Sequence, residues 1–285
     1  MGIGTKGGLH RSAYYAVALA AFAWSAFGSA TYTFSDALAR GSIAATSSAP
    51  VPAALLVPAD NPEHSLNWAG YVAQGGIYTG VSASWVVPAV KNSGSLAADA
   101  TWVGIGGVGT HDLIQAGTQA IEMPNGDIQY QAWTETLPEY SVPAPLVIKP
   151  GDAVAVSIRE ESPDQWRITI SNLTTSKTYS ITRTYVSSRS SAEWIEEMPS
   201  GDIFLPLSQF GSVTFANALA VQDGAMMSAA DAGAMPLTML NPKGEELALP
   251  TIMAEGGSSF TVTRAPATAL SLTTHFGHRR SQPVL

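Results

Sequence analysis

The side chains that could carry out chemistry in this chain are carboxylates, amides and hydroxyls. The sequence of 285 residues contains no cysteine, which excludes both a thiolate nucleophile and a thiolate metal site. The G-x-S-x-G motif of serine hydrolases and the H-E-x-x-H motif of zinc peptidases are also missing. Any catalysis by this chain must therefore depend on carboxylates, amides or hydroxyls.

Three glutamates lie close to one tryptophan in the segment SSAEWIEE, residues 190–197. Side chains alternate between the two faces of a strand, so Glu193 and Glu197 would share one face while Trp194 points to the other. At about 3.3 Å per residue, Glu193 and Glu197 would be about 13 Å apart, which is too far for a carboxylate pair. A catalytic partner for Glu193 must therefore come from another part of the chain.

Other polar and aromatic residues occupy positions where a buried sheet would be apolar. They are Trp68 in NWAGY, Trp102 in TWVGIGG, Gln115 in LIQAG, and Trp133 and Glu135 in YQAWTETLPE. Each has an ordinary structural interpretation, because a strand tryptophan is more often part of the core and a single glutamine usually faces solvent. Taken singly, none of these residues identifies a site.

Two patterns that could suggest a cofactor have simpler explanations. The string GIGGVG, residues 104–109, has the glycine spacing of a dinucleotide-binding loop, but no helix signal follows it, so we expect a bend between two strands. His275 and His278 have no acidic cluster beside them, which favours a solvated tail over a metal site. We expect no metal and no organic cofactor.

The N-terminal region has the pattern of an export signal. Lys6 and Arg11 precede an apolar run that ends in small residues, so we predict a signal peptide over residues 1–30 and a secreted protein, extracellular or periplasmic. An anchor helix is the weaker alternative, because the run is short and rich in alanine. Residues 31–66 are rich in Ala, Ser and Pro and are predicted to be a low-complexity propeptide or linker.

The charge of the chain argues against polyanionic partners. The chain has 14 basic and 22 acidic residues, and removal of residues 1–30 takes away two of the basic ones, which changes the net charge from −8 to −10. Such a surface repels nucleic acid and anionic lipid. We therefore expect neither nucleic acid nor, after signal removal, a membrane as a partner.

From residue 67 onward, short runs of alternating apolar residues predict strands, as in VSASWVV, AVAVSIR and WRITIS. Turn signals separate the runs: PNGD (124–127), KPGD (149–152), SPDQ (162–165), PSGD (199–202) and NPKGE (241–245). This pattern is typical of all-β proteins. We predict an antiparallel two-sheet β-sandwich over residues 67–264 and a loose tail over residues 265–285.

Taken together, the strings NWAGY, TWVGIGG, LIQAG, YQAWTETLPE and SSAEWIEE resemble the glutamic peptidases, or eqolisins, in order and approximate spacing. The resemblance implies a concanavalin-like or jelly-roll sandwich with a substrate cleft on one concave face. It also implies that Gln115 and Glu193 are the catalytic pair, with Gln115 on a strand neighbouring that of Glu193. The residues expected to line the cleft are Trp68, Trp102, Trp133, Glu135 and Glu197.

The implied reaction is the hydrolysis of peptide bonds in unfolded proteins or peptides by a monomeric acid endopeptidase. An ionised Glu193 takes a proton from a water held between it and Gln115, and the Gln115 amide donates to the oxyanion. From the ordinary glutamate pKa of about 4.3, we expect Glu193 to ionise from mildly acidic pH upward, with maximal activity at about pH 3 to 5. Gly106, Gln119 and Leu137 depart from the family pattern, which leaves the subsite preference open.

Two other functions fit parts of the pattern. A carbohydrate-active or carbohydrate-binding sandwich could stack its tryptophans on sugars and use Glu135 and Glu193 as a glycosidase pair. An inactive binding module is the other alternative. Gln115 distinguishes these functions from a peptidase, because hydrolysis by two carboxylates does not need an amide at that position.

Overall fold

The computed structural model describes residues 64–199 and 205–266. The predicted signal peptide, most of the predicted linker and nearly all of the predicted tail lie outside the described residues. Within the described part, the chain forms sixteen strands and no helix, so no helix there could cross a membrane. The prediction of an all-β protein is confirmed.

The strands form two layers, which we call the front sheet and the back sheet. The front sheet contains, in spatial order, β7 (Val142–Pro143), β6 (Ile128–Thr136), β5 (Leu113–Glu122), β4 (Ala97–Gly106), β11 (Ser191–Glu197), β2 (Trp68–Gln74) and β14 (Met235–Leu240). The back sheet contains β10 (Lys177–Thr184), β9 (Gln165–Asn172), β8 (Ala153–Ser162), β3 (Tyr78–Val86), β12 (Ser212–Gln222), β16 (Phe260–Arg264) and β15 (Glu246–Pro250). Strand β14 pairs with both β2 and β15, so the two layers are continuous at one edge.

Two short strands complete the sheets. Strand β13 (Ala225–Ser228) pairs antiparallel with β12, and β1 (His64–Ser65) pairs in parallel with β14. The pairing of β1 places the start of the sheet slightly before the predicted boundary at residue 67. All the other strand pairs are antiparallel, as expected for this type of sandwich.

The hydrophobic core lies between the inner faces of the two sheets. Alternate residues of β3, β8 and β9 are buried there, as their period of two predicts. Trp194 of β11 also points into this core, where its Nε1 donates to the carbonyl oxygen of Ser82 at 2.9 Å. The predicted orientation of Trp194 is therefore correct, and the opposite face of β11 is left to Glu193.

The glycine-rich string at residues 104–109 covers the end of β4 and the turn into β5. Gly106 has a φ of 88°, and a Cβ at this position would lie 2.7 Å from the carbonyl oxygen of Asp112. Glycine is therefore required for the tight bend that the sequence predicts. Gly104, in contrast, lies inside strand β4, where no bend occurs.

Candidate active site

The outer face of the front sheet, which is directed away from the back sheet, carries all seven predicted site residues. Cross-strand partners lie on the same face of a sheet, so the strand registers define three rows across this outer face. The first row is Val72, Glu193, Gly104, Gln115 and Glu135. The second is Gly70, Ile195, Trp102, Gly117 and Trp133, and the third is Trp68, Glu197, Ala100, Gln119 and Gln131.

The expected catalytic pair lies in the first row, but not on neighbouring strands. Strand β4 runs between β11 and β5, so Gly104 is directly opposite both Glu193 and Gln115. The prediction that the two residues occupy adjacent strands was wrong, and their Cα atoms are separated by two strand spacings, about 10 Å. Two long side chains can still approach each other, because the residue between them has no side chain.

Gly104 is tightly surrounded on this face. A Cβ at position 104 would lie 2.8 Å from Cζ3 of Trp102, 3.0 Å from Cδ1 of Leu113 and 3.2 Å from Oε2 of Glu193. A methyl group would therefore press against the Glu193 carboxyl. From the sequence, Gly104 was expected only as part of a bend. The pattern that could have indicated its role is its position within an apolar strand, two residues after Trp102.

Glu193 is completely buried, at 0% exposure. Neither of its carboxyl oxygens has a hydrogen-bond partner of ordinary geometry among the described residues. Burial raises its pKa well above the ordinary value of 4.5, with a small further rise from Asp112, and the nearby Ser191 hydroxyl offsets only part of this effect. Desolvation therefore disfavours the carboxylate form of Glu193, an effect that the ordinary glutamate pKa used in the sequence-based expectation does not include.

Gln115 is held on its other side by Glu135, its cross-strand neighbour on β6. Its Nε2 donates to Oε2 of Glu135 at 2.5 Å, whereas its Oε1 is buried without a partner. Burial, followed by repulsion from Glu197, raises the pKa of Glu135 to about 8, although hydrogen bonds from Gln115 and from the backbone N–H of Ser141 act in the opposite direction. Glu135 therefore carries a proton at acidic pH.

Glu197 is held in the third row by several donors. Nε1 of Trp102 donates to one of its oxygens at 2.8 Å, and Nδ2 of Asn67 donates to the other at 3.1 Å. The Trp68 side chain also donates to this carboxyl, yet burial still raises its pKa to about 7. Asn67 was not predicted as a site residue, although it immediately precedes Trp68 in NWAGY.

The three tryptophans that were predicted to line the cleft belong to one buried hydrophobic cluster. The rings of Trp68 and Trp102 meet edge to face, with their centroids 5.0 Å apart and their planes at 79°. Both belong to a buried cluster with Trp133, and this cluster is separate from the main core. The Nε1 atom of Trp133 is buried without a partner, so this ring offers a hydrogen-bond donor to whatever binds above it.

Unpartnered polar atoms are concentrated on the outer face. Seven buried side-chain nitrogen or oxygen atoms of the described residues lack a hydrogen-bond partner, and four of them belong to Gln115, Trp133 and Glu193. Such groups are rare in folded proteins and commonly mark functional sites.

Among the described residues, no group of three or more His, Cys, Asp or Glu side chains is placed to hold a metal ion.

Curated proteins and a family model match most of the sandwich. The model described as "Peptidase A4 family" matches residues 66–264. Aspergillopepsin-2 of Aspergillus niger is 32% identical over 205 residues, which cover 62% of this chain and 72% of that protein. Scytalidopepsin B of Scytalidium lignicola is 33% identical over 180 residues, which cover 58% of this chain and 67% of that protein.

Solved structures of the same group share the fold. A crystal structure of scytalido-glutamic peptidase with a peptide-based transition state analog has a TM-score of 0.61 and 26% identity, covering 70% of this chain and 98% of that one. The structure of aspergilloglutamic peptidase from Aspergillus niger has a TM-score of 0.54 and 29% identity, covering 59% of this chain and 99% of that one. The chain therefore belongs to the Peptidase A4 family and is a glutamic-type endopeptidase.

Proposed function

We propose that this chain is an exported acid endopeptidase in which Gln115 and Glu193 activate a water molecule. The observation that supports this most strongly is their placement opposite each other across Gly104. Three of the four terminal atoms of the two side chains have no hydrogen-bond partner. A bridging water would satisfy these groups, each of which otherwise costs about 1–3 kcal/mol.

In the proposed reaction, Glu193 serves first as a base and then as an acid. The ionised carboxylate takes a proton from the water, and the water oxygen attacks the carbonyl carbon of the scissile peptide bond. The Gln115 NH₂ group donates to the oxyanion, a kind of contact whose loss costs about 2.7–4 kcal/mol in a comparable hydrolase. The protonated Glu193 then gives its proton to the departing amine, which returns the carboxylate to its starting state.

The proposed pH profile follows from the groups on the outer face. Activity rises as Glu193 ionises, and a hydrogen bond from the bound water to its carboxylate favours the ionised form. Activity falls as Glu197 and Glu135 lose their protons, with pKa values of about 7 and about 8. The two pKa values place the alkaline limb of the profile near neutrality, so we expect maximal activity below about pH 7.

The carbohydrate alternative fits this arrangement poorly. Glu135 and Glu193 lie three strand spacings apart in the first row, about 14 Å between Cα atoms. In glycosidases the scissile bond of the sugar lies between the two carboxyl groups. Here the Gln115 amide lies between the two glutamates in the row and is hydrogen-bonded to Glu135, a polar group that hydrolysis by two carboxylates does not need at that position.

The test is digestion of a chemically unfolded protein by the secreted chain at about pH 4. We expect the wild type to produce peptides with or without a peptide inhibitor of aspartic peptidases, and Glu193→Gln to lose at least 99% of this activity. Glu246→Gln is the matched control, because it removes an exposed carboxylate on the back sheet. A folded Glu193→Gln protein that digests like the wild type would overturn the proposal.

A further inference from the structure

The Gln115 amide lies between two different groups of residues. Its orientation determines whether it presents a hydrogen-bond donor or an acceptor to a substrate. On one side it contacts Glu135, and on the other side lie Gly104 and Glu193. An amide has an acceptor oxygen and a donor NH₂ group on the same carbon, and rotation by 180° exchanges them. The proposed function requires the NH₂ group on the Glu193 side, because an oxyanion needs a donor.

The hydrogen bond to an ionised Glu135 fixes the opposite orientation. A carboxylate only accepts hydrogen bonds, so it favours the arrangement in which Nε2 of Gln115 donates to Oε2 of Glu135, at 2.5 Å. This leaves Oε1 as the free atom, buried and without a partner. An oxygen in that position would repel a developing oxyanion, so this orientation does not support catalysis.

The surroundings of Glu135 favour its protonated form. Its exposure is only 4%, and the ionisable side chains that act on it or feel its charge are Glu197 and Tyr185, neither of which is a cation. The three ion pairs among the described residues do not involve it. The backbone N–H of Ser141 supplies one donor, which is compatible with either protonation state.

We propose that Glu135 is a positioning residue whose protonated hydroxyl donates to Oε1 of Gln115 and so turns the Nε2 donor toward Gly104 and Glu193. This inference rests on the proposed function and adds a switch to it. When Glu135 loses its proton, the amide turns back and the oxyanion loses its donor. The proton itself stays on Glu135 throughout the reaction, so Glu135 acts on the reaction only through Gln115.

Glu135→Gln tests this role directly. An amide at position 135 does not ionise, and the Ser141 N–H keeps its oxygen occupied, so its NH₂ group faces Gln115 at every pH. At pH 4 we expect Glu135→Gln to keep at least ten times the kcat of Glu135→Leu. Above pH 8, kcat of Glu135→Gln should fall less steeply with pH than kcat of the wild type, because Glu197 is the only one of these two glutamates that can lose a proton in the variant. Glu135→Leu has neither donor nor acceptor, and we expect its kcat to fall at least tenfold at all pH values.

Removal of a buried carboxyl also affects stability, so each kcat value is divided by the fraction of folded protein. Tryptophan fluorescence of the same sample gives this fraction. Two controls separate the effects. Glu139→Gln removes an exposed carboxylate close in sequence and should leave the normalised profile unchanged. Asp99→Asn removes a buried carboxyl from the inner face of the front sheet and should change stability without moving the normalised profile.

The inference is overturned if the normalised profile of Glu135→Gln superimposes on that of the wild type, or if Glu135→Gln and Glu135→Leu lose activity equally while folded. Both results would leave the proposed function intact, provided that Glu193→Gln is inactive. An active Glu193→Gln protein would instead contradict the proposed function itself.

Discussion

Raising the pH from 4 to 8 should remove a large part of the stability of this fold. Five carboxyl groups of the front sheet are buried and have raised pKa values: Asp99, Glu135, Glu193, Glu196 and Glu197. Each binds a proton more tightly in the folded protein than in the unfolded chain. Their contribution to stability is therefore complete below about pH 4 and is lost as the pH rises through the folded-state pKa values.

The size of the effect follows from the shifts. The pKa of Glu135 is raised from 4.5 to about 8, that of Glu197 from 4.5 to about 7, and that of Asp99 from 3.8 to about 7. At about 1.4 kcal/mol per pKa unit, these shifts correspond to about 5, 3 and 4 kcal/mol. Since a domain is stable by only about 5–15 kcal/mol, and relaxation reduces each contribution, we expect a net loss of several kcal/mol by pH 8.

The assay is urea unfolding followed by tryptophan fluorescence at half-unit steps from pH 3 to pH 8. Asp99→Asn is the informative variant, because Ser208 donates to Oδ1 of Asp99 and an asparagine oxygen can accept the same bond. We expect this variant to match the wild type at pH 4 and to be more stable than the wild type at pH 8, by up to about 4 kcal/mol. Glu246→Gln, an exposed carboxylate, should follow the wild type throughout. A wild-type stability that is constant or increases from pH 4 to pH 8 would refute the reasoning.

Four further predictions concern single positions. Gly104→Ala should lower kcat at least 100-fold and reduce stability by about 1–3 kcal/mol, because the added Cβ presses on Glu193 and Trp102. Kinetics and thermal unfolding of one preparation check both effects. Trp133→Phe keeps an aromatic ring but loses the free Nε1 donor, so KM should rise by about two- to tenfold with little change in thermal midpoint. Asn172→Ala should cost about 1–3 kcal/mol in urea unfolding, since the Asn172 amide is buried and donates to Val147 and Asp152. N-terminal sequencing of secreted protein should find a start after Ala30, whereas material beginning at Met1 would contradict the export signal.

Much of the outer face could be predicted from the sequence, because a period of two places alternate residues of a strand on one face. This rule separates Glu193 and Glu197 from Trp194, and the five quoted strings indicate which strands share the site. The order of the strands could not be predicted in the same way. Strand β11 lies between β2 and β4, about 90 or more residues away in sequence, and no local pattern encodes such pairing.

The residues that the sequence analysis missed depend on this long-range pairing. Gly104 becomes part of the site only because β4 separates Glu193 from Gln115, and Asn67 only because β2 pairs with β11 beside Glu197. The burial of Glu196 was equally unexpected, because a charged side chain seldom points into a core. Its partner, the Thr101 hydroxyl at 2.6 Å, lies on a neighbouring strand that is distant in sequence.

The central claim is that Gln115 and Glu193 act together on one water molecule, and steady-state cleavage of a fluorogenic peptide by Gln115 variants tests it most directly. Turnover is measured from pH 2 to pH 8, and thermal unfolding of the same samples shows that each variant is folded. We predict that Gln115→Ala loses at least 99% of kcat, because the oxyanion and the water both lose their amide partner. Gln115→Glu should remain nearly inactive even at low pH, because it lacks a permanent donor. A folded Gln115→Ala or Gln115→Glu protein with near-normal turnover would contradict the account.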